Sequence, residues 1–142
     1  MIKEVVLSFL VATTSVDKAE VDNFRHTEAT CLAKNMYYEA RNQGLAGQLA
    51  VSLVVMNRVK DSRYPNTVCG VVEQGPTRES WKKDGTYYPI KNRCQFSWFC
   101  DGKSDDPKEP TTYGRLLDLS LVLVYDDIPV SYTHLTLPTN CV

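Results

Sequence analysis

Apolar residues recur at helical spacing in three stretches of the chain. In the first, Thr27 and Glu28 mark a helix start, and Leu32, Ala33, Met36, Tyr37 and Ala40 fall on one stripe at about 100° per residue. The helix continues to Asn42 and Gln43, where Gly44 stops it. Glu39 lies on the flank of the stripe beside Asn35, Met36, Asn42 and Gln43, poised between core and cleft. The second stretch, residues 46–60, carries Ala46, Leu49, Ala50, Leu53 and Val54 on one face and Val51, Val55 and Val59 on the other. A helix apolar on all sides is expected at the centre of a fold. Asn57 falls in the middle of its first face. There its amide either braces a neighbouring loop or the first helix, or meets a solvent gap, because leaving it buried and unpaired costs roughly 1–3 kcal/mol.

Tyr64, Pro65, Asn66 and Thr67 end that helix and cap a short one over residues 68–74. Residues 75–93 read as a loop rich in Gly, Pro, Lys and Tyr, with Trp81, Tyr87 and Tyr88 embedded in it. So long an aromatic-bearing loop is a binding surface or a lid. A last helix is expected over residues 111–125, with Leu116, Leu117, Leu121 and Val124 at helical spacing. No internal repeat or coiled-coil pattern interrupts this order.

At 142 residues, with 43% apolar and 23% charged positions, the chain has room for one domain with a real core. A net charge of -1 and the absence of a dense Lys/Arg stripe argue against nucleic acid as a partner. Residues 1–16 combine a charged start with a short apolar run, too short to span a bilayer, which needs about 20 residues. A signal peptide is the expectation, although Glu4 dilutes its positive start and no clean small-x-small cleavage site precedes Asp17. The alternative is an amphipathic N-terminal helix.

Cys31, Cys69, Cys94 and Cys100 form an even set, as a disulfide framework of an exported protein would. No C-x-x-C pair occurs and His26 stands alone before the tail, which argues against zinc. If residues 94–100 are extended, their ends lie about 20 Å apart, beyond the roughly 7 Å a bridge spans. Unless a turn intervenes, Cys94 and Cys100 should each pair with Cys31 or Cys69.

The end of the chain is expected to have a different origin. Residues 130–139 match, residue for residue, one reading frame of a transposase adapter used in sequencing libraries. Residues 129–142 are therefore expected to be adapter-derived, the natural sequence to be interrupted near residue 128, and His134 and Cys141 to carry no chemistry. The resulting organisation is a signal peptide at 1–16, a linker at 17–26 and one domain at 27–128 whose C-terminal part is missing.

Several motifs occur in order: Cys31-Leu32-Ala33, Tyr37-Tyr38-Glu39-Ala40-Arg41, Gly47-Gln48-Leu49-Ala50-Val51, Met56-Asn57-Arg58-Val59, Tyr64-Pro65-Asn66-Thr67-Val68-Cys69, and Cys94-Gln95-Phe96-Ser97-Trp98 with Cys100-Asp101-Gly102-Lys103. Together, over residues 29–126, the chain resembles the SleB-type cell wall hydrolases, which include spore-cortex-lytic enzymes and relatives in Gram-negative bacteria and phages. The resemblance implies a mainly α, lysozyme-like fold with a long loop and a short β element, acting on peptidoglycan. It implies Glu39 as the catalytic acid, with Gln95, Phe96 and Ser97 lining the glycan cleft opposite the helix and Tyr38 also contacting substrate. Asn42-Gln43-Gly44 departs slightly from the family pattern at the helix end. A larger departure is the missing C-terminal segment with Gly, Thr, His and Tyr, which Tyr132-Thr133-His134 imitates by accident.

Glycosidic cleavage at neutral pH needs an acid whose pKa is lifted toward working pH, and apolar flanking by Met36 and the second helix would lift that of Glu39. A two-carboxylate hydrolase also needs a partner acid about 5–9.5 Å away. Asp61, Glu73, Glu79 and Asp101 are the candidates, each more readily explained by a cap, a turn or a solvated surface. A lytic transglycosylase, in which one Glu serves as acid and then base, is the economical reading. The competing classes are a hydrolytic muramidase, a metal-dependent amidase, for which His26 alone cannot build a zinc site, and a non-catalytic glycan-binding module using Trp81, Tyr87, Tyr88 and Trp98. The expected partner is the peptidoglycan glycan strand, bound by a monomer without cofactor, metal or membrane span. The expected setting is the periplasm or cell envelope, or that of a phage-encoded lysin acting there.

Overall fold

The computed structural model describes residues 17–126. The segments expected to be a signal peptide and adapter-derived sequence, 1–16 and 129–142, lie outside the described residues. Helix α1 runs Lys18–Ala40, α2 Leu45–Lys60, α3 Val68–Val72 and α4 Pro110–Asp126. Between α3 and α4 come strands β1 (Thr77–Glu79) and β2 (Tyr87–Pro89) and a 3₁₀ turn at Ser97–Cys100. The fold is thus mainly α, as the lysozyme-like expectation required, and the long loop contains the short β element. No helix among the described residues is long and apolar enough to cross a membrane.

Helix α1 starts earlier than the apolar stripe suggested, so the stretch 18–26 is helical rather than an extended linker. Asp17 caps it, its carboxylate accepting from the Ala19 amide at 3.1 Å. The far end of α4 then grips these first turns. The Arg25 guanidinium lies 5.1 Å from the Tyr125 ring centre, and the Tyr125 hydroxyl donates to the Asp22 carbonyl at 3.5 Å.

The central helix is α1, not α2. Ala29, Leu32, Ala33, Asn35 and Met36 of α1 are fully enclosed. Leu32 joins one cluster with Val55, Val68, Val71, Val72, Trp98 and Leu123, and Met36 and Tyr37 join a second with Leu116. In α2 the buried side is Gln48, Ser52 and Val55 with Ala50 and Leu53, while Val51, Val54 and Val59 are half-buried and Ala46 is exposed. Asn57 faces solvent, so the solvent-gap alternative holds and its amide needs no protein partner. Helix α4 turns Leu116, Ser120 and Leu123 inward, leaving Leu117, Leu121 and Val124 half-buried at the margins of that face.

Helix α3 is tied to α1 twice. The buried Glu28 carboxylate accepts from the amides of Val68 and Cys69, the latter at 3.1 Å, and so occupies the positive end of α3. The Thr67 hydroxyl takes the Gly70 amide at 3.0 Å, completing the cap. One turn after Glu28, Cys31 is bridged to Cys69, with Cα atoms 5.3 Å apart. The expected pairing across to Cys94 and Cys100 is therefore corrected: those two bridge each other, their Cα atoms 6.0 Å apart. The segment between them is not extended. It closes into the 3₁₀ turn, and the Cys94 amide donates to Cys100 Sγ at 3.0 Å.

The Cys31–Cys69 bridge closes a span of 38 residues and restricts the unfolded chain accordingly. Replacing both cysteines with alanine is expected to lower stability by about 2–4 kcal/mol in urea unfolding. An unchanged unfolding midpoint would mean that the Glu28 clamp alone holds α3 to α1.

Candidate active site

The stripe that buries Glu28, Leu32 and Asn35 on α1 continues, at spacings of three and four, to Glu39. There, in the last turn, it runs out from under the rest of the fold and the side chain reaches solvent. The protein at its back still withholds part of the water, and this burial raises the Glu39 pKa above that of an ordinary glutamate. Among the described residues no neighbouring charge contributes to the shift.

Two side chains hold the end of α1. Gln48, buried in α2, donates its amide to the carbonyls of Ala40 and Gln43 at 3.4 and 3.1 Å. Two backbone carbonyls at the helix end are satisfied directly behind Glu39. Arg41, two residues from Glu39, turns the other way. Its guanidinium donates to the Tyr37 carbonyl at 3.2 Å, lies 4.9 Å from the Tyr37 ring centre and approaches Glu109 at 3.6 Å. The cation of the E-A-R motif is thus occupied elsewhere, which leaves the upward pKa shift unopposed. The role of Gln48 was not read from the sequence. The available signal was a long amide at a position that the helical period places inside.

The other predicted site residues divide between two clefts. Tyr38 stacks on Trp98 with ring centres 4.8 Å apart and planes 16° off parallel, and its hydroxyl donates to the Ser104 carbonyl at 3.3 Å. With Tyr37, Arg41, Asp101, Lys103 and Asp106 it lines a cleft of about 370 Å³, of which Glu39 is not a wall. Burial first, and then the charge of Asp105, raises the Tyr38 pKa. Gln95 belongs to a separate cleft of about 500 Å³ with Gln74, Pro76 and Arg93, and its backbone N–H donates to the Gln74 backbone carbonyl at 2.8 Å.

Phe96 packs against the core with the Arg58 guanidinium 5.9 Å from its ring centre, while Ser97 is exposed at the start of the 3₁₀ turn. What brings this segment to α1 is Trp98. It is buried and donates its indole N–H to Asn35 Oδ1 at 2.9 Å, one turn before Glu39. Trp98 is therefore a core residue, whereas Trp81, Tyr87 and Tyr88 are exposed on the hairpin.

Of the candidate second acids, Asp61 and Asp101 have local partners, whereas Glu73 and Glu79 are exposed. Asp61 is paired with Arg63 at 2.7 Å, and its pKa falls to about 2 through hydrogen bonds from that arginine. Glu73 ends α3, its pKa raised by burial and then by the charge of Glu28, with Lys34 opposing. Glu79 is exposed in β1 opposite Tyr87, and Asp101 accepts the Lys103 amide at 2.8 Å. All four cysteines of the domain are in disulfides, His26 is exposed, and no three His, Cys, Asp or Glu side chains converge to hold a metal among the described residues.

The sequence profile of the Cell Wall Hydrolase family matches residues 42–123, more than half of the chain. The chain belongs to the cell wall hydrolase family. Within the SleB-type group of that family, it is 31% identical over 91 residues to a spore cortex-lytic enzyme of Bacillus subtilis strain 168, a match covering 63% of this chain and 30% of the relative. It is also 32% identical over 71 residues to a spore cortex-lytic enzyme of Bacillus cereus, covering 50% and 27% of the two chains. The spore cortex-lytic enzyme of Oceanobacillus iheyensis is 35% identical over 49 residues, 34% of this chain and 18% of the relative. The chain thus spans less than a third of the length of these relatives. No solved structure matches it. The profile match to this hydrolase family begins at Asn42, just after Glu39, and takes in α2, α3, the hairpin, the 3₁₀ turn and most of α4.

Because burial raises the Glu39 pKa, its ionised form is penalised in the folded state. Carboxyl-carbon NMR titration is expected to place Glu39 above the glutamates of the unfolded chain. Glu39→Gln should gain stability over the native protein as pH rises past the ordinary glutamate pKa, and the difference should vanish in acid. A Glu39 pKa at or below the ordinary value would contradict the desolvated placement.

Proposed function

We propose that this protein degrades peptidoglycan as a lytic transglycosylase, cleaving the glycan strand after N-acetylmuramic acid with Glu39 as the only catalytic carboxylate. The observation that carries this reading is the placement of Glu39 at the solvent-exposed end of the buried stripe of α1, where burial raises its pKa and the motif arginine is turned away. Membership of the cell wall hydrolase family and the likeness to spore cortex-lytic enzymes support the choice of substrate. Protonated Glu39 donates to the glycosidic oxygen as the C1–O bond breaks. The resulting carboxylate then takes the proton of the C6 hydroxyl, which attacks C1 and closes a 1,6-anhydro ring. Water is neither activated nor consumed.

In this reading Tyr38, Gln95, Phe96 and Ser97 contribute to substrate binding on either side of Trp98, Phe96 through packing that supports the segment. The two disulfides fit an oxidising setting outside the cytoplasm, and we place the protein in the periplasm or cell envelope.

Mass analysis of the fragments released from purified sacculi tests the reaction class. The expected products end in 1,6-anhydromuramic acid, and excess chelator leaves their yield unchanged. Reducing ends would assign a hydrolytic muramidase instead, and free stem peptides an amidase.

A further inference from the structure

The β1–β2 hairpin is built for display. Trp81 is 86% exposed, and Tyr87 and Tyr88 follow at 61% and 56%. Large aromatic side chains left in water at neighbouring positions signal a contact surface rather than a core. They stand on an ordered frame. Arg78 pairs with Tyr88 and Glu79 with Tyr87 across the strands, the Ser80 amide donates to the Thr86 carbonyl at 2.8 Å, and the Lys83 amide returns to the Ser80 carbonyl at 2.9 Å. Gly85 takes the positive φ of 82° that the turn demands.

At the neck, a Cβ on Gly75 would fall 2.9 Å from the Cys94 Cα, so only glycine lets the two chain segments meet above the Cys94–Cys100 bridge. The backbone that carries the aromatics is therefore braced before any ligand arrives, which reduces the ordering cost of binding.

Successive strand residues face opposite sides, so Tyr88 and Arg78 share one face while Tyr87 and Glu79 share the other. Trp81 and Tyr88 border a cleft of about 660 Å³ that also holds two cations, Arg78 and Lys82, and two acids, Glu79 and Asp84. Lys82 Nζ lies 5.6 Å from the Trp81 ring centre. Of the five Lys and Arg in residues 75–93, Lys83, Lys91 and Arg93 lie outside that lining, whereas both carboxylates of the segment are in it. One of those carboxylates, Asp84, is engaged by the Thr86 amide at 3.0 Å. Flat apolar platforms beside charged donors and acceptors suit a ligand with C–H-rich ring faces and a rim of hydroxyl and amide groups, as in a glycan strand.

We infer that this hairpin cleft is a second glycan-binding site, in which Trp81 and Tyr88 stack on sugar rings and Arg78, Lys82 and Glu79 hydrogen-bond to the polar groups of the wall polymer. The inference rests on the peptidoglycan reading above. It assigns the hairpin to holding the polymer and leaves the chemistry at Glu39.

Cosedimentation of the whole protein with purified sacculi at low temperature tests it, together with cleavage of short soluble glycan fragments. The double variant Trp81→Ala, Tyr88→Ala changes exposed side chains only, and circular dichroism checks that its helices persist. The expected result is about tenfold weaker binding to sacculi with cleavage of the short fragments unchanged. Native-like sacculus binding by the double variant overturns the hairpin site alone, and loss of short-fragment cleavage overturns its separateness from the Glu39 site. Failure of the native protein to bind sacculi overturns the peptidoglycan reading and this inference with it. Binding to anionic lipid vesicles that the double variant loses, without binding to sacculi, assigns the hairpin to a membrane surface and likewise overturns it.

Discussion

The carboxylate of Glu28, seated on the first two amides of α3, anchors α1 to the rest of the chain. A buried carboxylate is costly unless its oxygens are satisfied, and the positive end of a helix supplies both donors and favourable field. The Cys31–Cys69 bridge fixes the same contact covalently one turn further along. With α1 held there, Leu32, Asn35 and Met36 enter the core in succession, the other three helices pack against it, and the 3₁₀ turn reaches it through Trp98. Glu39 is where this buried stripe surfaces.

That position explains the raised pKa of Glu39 better than any partner does. The motif arginine is drawn to Tyr37 and Glu109, and Asp61 and Asp101 are held in local hydrogen bonds. What remains is desolvation, which acts in one direction only. Gln48 adds the mechanical part by fastening the carbonyls immediately after Glu39, so that the carboxyl is presented from a stiff helix end rather than from a fraying one.

Elements defined by local signals were legible in the sequence. Gly44 separated α1 from α2, Thr67 capped α3, and the helical period placed Glu39 on the flank of the buried stripe, hence its raised pKa. Features set by distant contacts were not. The first turns of α1 lack an apolar stripe and are secured by Tyr125 from the end of α4, and the Glu28 clamp joins residues 40 positions apart. The Cys94–Cys100 bridge was misread because the 3₁₀ turn between the cysteines contains neither Gly nor Pro to announce it. The site residues were chosen as one cleft, yet Trp98 sends Tyr38 and Gln95 to different ones, since its ring stacks on the first while its chain carries the second past α3.

In this account a helix clamped at one end delivers a desolvated acid at the other, and a separate aromatic hairpin holds the polymer that the acid cuts. The measurement that bears on it most directly is glycan release from purified sacculi by Glu39→Gln, followed beside its helical circular dichroism. The account predicts that fragment release falls to background while the helical signal is retained. Release continuing at a substantial rate in that variant would contradict it.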